Sequence, residues 1–258
     1  MHRLFLITGI VVVGAALAAP AVAGWWDQSP LEDGAAFIVG YGLRSMERDI
    51  SGGDADSGTF ESDESYVRIG MGLDCGRVFL DVGQAEPEPE LTFSNLGAKQ
   101  VGVYDLESTP YFAFGFQGLF PMGEDGNGWC AGFGLKLAFW LPADAEGVQL
   151  SGVESTNVDG DISANEVQLD LLGGYSFMDG CLKPYAGVRL SGMTVSFDEV
   201  QYTAGGTAYA DDGDIHADDN FGLVGGVEVC LPNDRVAISV EASVGDADSV
   251  AGNIELRF

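Results

Sequence analysis

Apolar and polar side chains alternate with a period of two along ten stretches of this chain. That period sends successive side chains to opposite faces of an extended strand. The clearest stretch is Trp129 to Leu141. Trp129, Ala131, Phe133, Leu135, Leu137, Phe139 and Leu141 share one face, while Cys130, Gly132, Gly134, Lys136, Ala138 and Trp140 share the other. The same reading predicts strands over Ala36–Ser45, Tyr66–Leu73, Val78–Gly83, Tyr111–Phe120 and Val167–Phe177. It predicts four more from Leu182 through Leu190, over Phe221–Leu231, over Val236–Val244 and over Val250–Phe258.

The connections alternate in length. Short turns fall at Asp74-Cys75-Gly76, Met178-Asp179-Gly180 and Pro232-Asn233-Asp234, with a slightly longer one over Pro121–Gly128. Long acidic segments fill Arg48–Ser65, Glu86–Glu107, Pro142–Asn165 and Asp198–Asp219; Gly245–Ser249 is a short exception. Short turns at one end and long loops at the other suit an antiparallel barrel in a membrane. At the amino end, His2 and Arg3 precede an apolar run from Leu4 to Ala19. Ala21-Val22-Ala23 then offers a small-residue cleavage site before Gly24. This predicts a secretory signal peptide over residues 1–23 and a single barrel domain over 24–258. No later stretch reaches the ~20 apolar residues of a spanning helix.

The final strand carries a resemblance. Val250, Ile254, Leu256 and Phe258 share one face, and Asn253, Glu255 and Arg257 the other. This segment resembles the C-terminal insertion signal of bacterial outer-membrane β-barrels. The resemblance implies an all-β, antiparallel transmembrane barrel of about ten strands, with eight as the alternative. It also implies outer-membrane location, outer-membrane lipid and the barrel insertion machinery as partners, and a monomer.

The other faces decide between that barrel and a soluble sandwich or lipocalin-like barrel. Arg44, Arg68, Arg77, Lys136, Lys183, Arg189, Arg235 and Arg257 fall on, or at the edge of, the polar faces. Asp81, Asp170, Glu228, Glu241 and Glu255 join them, amid many glycines. Glycine weakens an exposed strand, but in a crowded lumen it leaves room for long side chains to pair. The opposite faces are almost free of charge, as lipid contact requires. Ten strands enclose little space, and open channels need about 16. The charges therefore predict a filled, ion-paired lumen; a selectivity ladder in a narrow porin-like channel is the alternative.

The formal net charge of −29, from 11 basic and 40 acidic residues, excludes nucleic acid as a partner. The four cysteines permit two disulfides in an exported chain. Cys181 opens one predicted strand and Cys230 closes its neighbour, both with inward parity, so they are the first expected pair. Cys75 and Cys130 pair by elimination.

Candidate chemistry is sparse. The long segments concentrate carboxylates, and Asp211, Asp212, Asp214, Asp218 and Asp219 surround His216. Such clusters attract Ca²⁺ or Mg²⁺, or simply keep a surface solvated. No other cofactor is implied. Asn157 to Gln168 fails as an EF-hand loop, because Ile162 and Gln168 stand where Gly and Glu are needed. No GxSxG occurs. The expectation is a non-enzymatic barrel acting through acidic outer surfaces, with a hydrolase built on His216 as the remote alternative.

Overall fold

A computed structural model describes residues 36–53, 55–73, 76–95, 98–122, 128–178, 181–231 and 235–258. The predicted signal peptide and Cys75 lie outside the described residues. Among those residues, thirteen antiparallel strands form one sheet. They are β1 (Ala36–Gly52), β2 (Ala55–Leu73), β3 (Gly76–Asn95), β4 (Ala98–Leu106), β5 (Thr109–Pro121), β6 (Gly128–Leu150) and β7 (Val153–Glu154). β8 (Thr156–Ser176), β9 (Leu182–Ala204), β10 (Thr207–Ala217), β11 (Phe221–Cys230), β12 (Val236–Val244) and β13 (Asp248–Arg257) complete it.

Ten of these strands close a ring in the order β1, β2, β3, β5, β6, β8, β9, β11, β12, β13. Closure runs from Ile38 opposite Arg257 to Glu47 opposite Asp248. Phe37 and Phe258 exchange backbone hydrogen bonds of 3.1 and 2.9 Å at the foot of that seam. These ten strands are the ten read from the sequence, and closure leaves the ring no edge.

The long acidic segments are not irregular loops. β6 and β9 run for 23 residues and β8 for 21. A spanning strand needs about 9–11. The extra length continues the barrel outward, and the acidic segments supply it. β5, β11, β12 and β13 are short and stop early. Above them β4 takes the place of β5 between β3 and β6, and β10 joins β9 to β1. A ten-stranded lower ring thus passes into an eight-stranded upper one: β1, β2, β3, β4, β6, β8, β9, β10.

The two levels have opposite polarity. On β2, Met71, Ile69 and Val67 face outward low in the barrel, and Asp63 and Glu61 face outward higher up. Its inward face changes from Arg68 and Glu64 to Phe60. From the lower ring to the upper one the outward face exchanges apolar for charged side chains and the interior does the reverse. The lower belt includes Phe37, Leu80, Phe114, Leu135, Leu171, Leu223 and Val250, all largely exposed apolar side chains. The upper interior packs Met46, Ile50, Phe60, Leu91, Tyr104, Trp140, Val195 and Phe197 into one buried cluster.

Bulges re-aim the strands where the levels meet. The β6–β8 register shifts between Trp140 and Ala143, so Leu141 and Pro142 both point outward. Trp140 and Ala143 therefore both reach the interior. A second shift places Asp198 and Glu199 outside, with Glu199 at φ 48°.

Candidate functional site: a filled lumen beneath an acidic wall

The lower lumen is filled by its own charges. Glycines on the inward face make this possible. A Cβ at Gly42 would lie 2.4 Å from the Tyr66 ring, and one at Gly226 would lie 2.6 Å from the Tyr185 hydroxyl. Into the space left, Arg68 donates to both oxygens of Asp81 at 2.7 and 2.9 Å. Arg189 grips Asp170 in the same two-pronged way, at 2.7 and 3.1 Å, and also donates to Glu241 at 2.7 Å. Arg44 and Arg48 converge on Glu166 at 3.0 and 3.2 Å. Arg77 donates to Glu255 at 2.6 Å. Planar guanidinium forks match carboxylates in this way, and burial strengthens each contact.

Eight cations occupy the lumen: Arg44, Arg48, Arg68, Arg77, Lys136, Lys183, Arg189 and Arg257. Eight carboxylates balance them: Glu64, Asp81, Glu166, Asp170, Glu228, Glu241, Asp246 and Glu255. Among the described residues the lumen charges balance, and other described carboxylates such as Glu47, Glu61, Glu88 and Asp144 are exposed on the outside.

Several sequence expectations change here. Arg235 does not join the network; it is exposed at the rim. Arg48, within a long acidic segment of the sequence, takes its place. Glu64, Glu166 and Asp246 are further lumen acids beyond those the strand pattern predicts. Glu166 and Glu64 continue the inward parity of β8 and β2, which was the one available signal. Lys136 is in the lumen but makes no ion pair within 4 Å among the described residues; its ammonium lies 5.7 Å from the Tyr111 ring centre. The expected Cys181–Cys230 disulfide is not formed, since Cys181 carries a free thiol. The two residues are nonetheless neighbours, with Cys230 N donating to Cys181 O at 2.7 Å. Cys130 is also a free thiol; its expected partner, Cys75, lies outside the described residues.

Above the belt, the outer wall lines up carboxylates across strands. Asp248, Glu47, Glu61 and Glu88 stand opposite one another in a single row over β13, β1, β2 and β3. Asp144, Asp161 and Asp198 form a second row over β6, β8 and β9. Partial desolvation, then Glu47, Glu88, Glu90 and Asp63, raise the pKa of Glu61. A hydrogen bond shared with Asp144 raises that of Asp161.

The five aspartates around His216 are not brought together. Asp211 accepts from the Tyr104 hydroxyl at 2.5 Å, Asp214 from Ser196 at 2.6 Å, and Asp218 from Ser51. The Asp219 backbone carbonyl accepts from Arg48 at 3.0 Å, and Asp212 is exposed. Among the described residues, no group of three or more His, Cys, Asp or Glu is placed to hold a metal ion. His216 Nδ1 lies 3.2 Å from the Thr194 hydroxyl, on the outer wall. The acids beside it in sequence bond to serines instead.

The comparisons with known proteins bear on architecture. No protein-family model matches the chain, and no curated protein matches it. Solved structures do. The outer membrane protease OmpT from Escherichia coli aligns at TM-score 0.48 and 9% identity, over 89% of this chain and 98% of that one. An outer membrane channel from Pseudomonas putida aligns at 0.40 and 11%, over 90% and 98%. The translocator domain of the autotransporter NalP from Neisseria meningitidis aligns at 0.40 and 11%, over 97% of each chain. These neighbours are bacterial outer-membrane β-barrels. The chain's own geometry is that of a transmembrane β-barrel: a closed ring with an apolar belt outside and charges within meets the bilayer's demand that every backbone group be paired.

Proposed function

We propose that this barrel is a non-conducting, non-catalytic platform, held in the outer membrane by its lower ring. Its upper cylinder presents an acidic wall to cationic partners. The observation that carries the reading is the reversal of polarity between the two levels. A chain that needed only to span the membrane would have no use for a second, apolar core above it. That core holds up a wall carrying most of the described carboxylates that are not in the lumen, with few cations to neutralise them. Such a surface raises the local concentration of positively charged molecules, and salt weakens the attraction.

The filled lumen supports the absence of conduction. Trp140, Tyr104, Tyr111, Phe60 and Leu91 are almost fully buried across the upper interior. Planar-bilayer recording with the purified barrel should give no conductance above background; discrete steps would overturn that part. For the wall, a fluorescent oligolysine should bind reconstituted liposomes in a salt-sensitive manner. Glu47→Gln, Glu61→Gln and Glu88→Gln together should weaken it several-fold. Unchanged binding by the triple variant would exclude this face as the interaction surface.

A further inference from the structure

Among the described residues the lumen charges balance as a whole but not at each level. At the end that carries the chain's amino-terminal strand start and Phe258, a cavity of about 240 Å³ opens beneath the ion-pair network. That is room for about eight waters. Arg77, Lys183 and Arg257 line it, with Glu228 between them and Ile38 and Leu119 on its apolar wall. Glu228 lies 3.6, 3.4 and 3.3 Å from the three cations, and Glu255 backs Arg77 and Arg257 at 2.6 and 3.8 Å. Among the described residues, three cations thus face two carboxylates. Higher up the sign reverses, where Arg189 alone meets Asp170 and Glu241.

These cations also differ in how far they are committed. The Lys183 and Arg257 side chains keep 28% and 22% of their surface accessible, against 8% for Arg68 and 3% for Arg189. An ammonium has three donors and a guanidinium five. Lys183 uses one, to Glu228 at 3.4 Å. Arg257 spends one on Glu228 at 3.3 Å and one on the Cys230 sulfur at 3.7 Å. The remaining donors border an accessible cavity with an apolar side.

We propose that this vestibule binds a small organic oxyanion, a carboxylate or phosphate with a short apolar tail, entering from the periplasmic side. The oxyanion sits between Lys183, Arg257 and Arg77, and the tail lies against Ile38 and Leu119. Glu228 competes with the ligand for the same cations, so it sets the affinity rather than adding to it. The outer wall repels anions, whereas the vestibule offers them accessible donors.

The test uses the full chain folded in zwitterionic detergent, with titration calorimetry and phenyl phosphate as the probe. Saturable one-to-one binding that weakens with salt is expected, with none for neutral benzyl alcohol. Lys183→Gln should weaken binding about fivefold, and Glu228→Gln should tighten it by a similar factor. A gel-mobility shift on heating confirms that each variant is folded. The second variant separates the proposal from a structural role, because merely loosening the barrel would not raise affinity. Absence of saturable binding to the native chain overturns the proposal. So does a Lys183→Gln variant that binds like the native chain, or a folded Glu228→Gln variant that does not bind more tightly.

Discussion

Glu61 on β2 and Glu88 on β3 stand directly opposite each other on the outer wall of the upper cylinder. Glu47 flanks Glu61 on its other side, and Asp248 flanks Glu47. Like charges in directly opposed positions weaken a sheet. The row persists because the buried apolar cluster behind it holds the strands together.

That arrangement fixes the direction of a pH effect. The folded state raises the pKa of Glu61 above its ordinary value, through partial desolvation and its acidic neighbours. The folded state therefore binds protons more readily than the unfolded state, and stability falls as pH rises through the raised value. The upper cylinder should resist urea better at the acidic side of that window than at neutral pH. Glu61→Gln should flatten the profile. Urea midpoints measured across the carboxylate range check this, and a native profile that rises with pH there would contradict it.

In the lumen, Arg68 and Asp81 form a buried, two-pronged pair. Arg68→Ala leaves Asp81 without its cation, while Glu255 keeps Arg77; the loss should be about 3–5 kcal/mol for an uncompensated buried charge. Arg235→Ala, at the exposed rim, should stay within about 0.5 kcal/mol. Denaturant midpoints of the two variants, measured in the same detergent, should differ in that order.

Trp140 is 2% exposed and donates to the Ser62 hydroxyl at 3.1 Å. Its ring meets Phe60 edge-on and packs against Tyr111. Trp140→Ala should cost about 3–5 kcal/mol, concentrated in the upper cylinder. The lower ring keeps its lipid belt and ion pairs, so the variant should still insert. Protease added outside intact cells should cut the upper strands of the variant faster than those of the native chain, leaving a membrane-protected core.

The Phe37–Phe258 backbone exchange closes the seam at its foot. Deleting Phe258 removes one end of that closure and the aromatic at the base of the final strand. The fraction of chain recovered from the outer membrane in heat-modifiable form should drop several-fold. Normal recovery would show that Phe258 has no part in insertion.

Much of the lower ring was legible in the sequence. The apolar faces of Trp129–Leu141 and Val250–Phe258 alternate cleanly because one solvent, lipid, bounds their whole length. The lumen residues Arg68, Asp81, Arg189 and Glu241 followed from parity alone. Arg48, Glu64 and Glu166 did not, although they obey the same parity. They lie where the outward face changes from apolar to acidic, so the stretches holding them lack a consistent apolar side. The bulges at Leu141–Pro142 and Asp198–Glu199 add a second obstacle, since each shifts the phase of the alternation by one.

By itself, then, the sequence determined the strand period, the ten lipid-contacting segments and the inward direction of most basic residues. These are local properties, read two residues at a time. Only the tertiary structure decided that the acidic segments are strands and that eight of them close a second ring. Tertiary structure also decided that Glu228 is shared by three cations at one mouth of the lumen. Those outcomes depend on which strands become neighbours and on where lipid gives way to water. A period-two pattern records which side a residue faces; what lies on that side is set by the closed barrel.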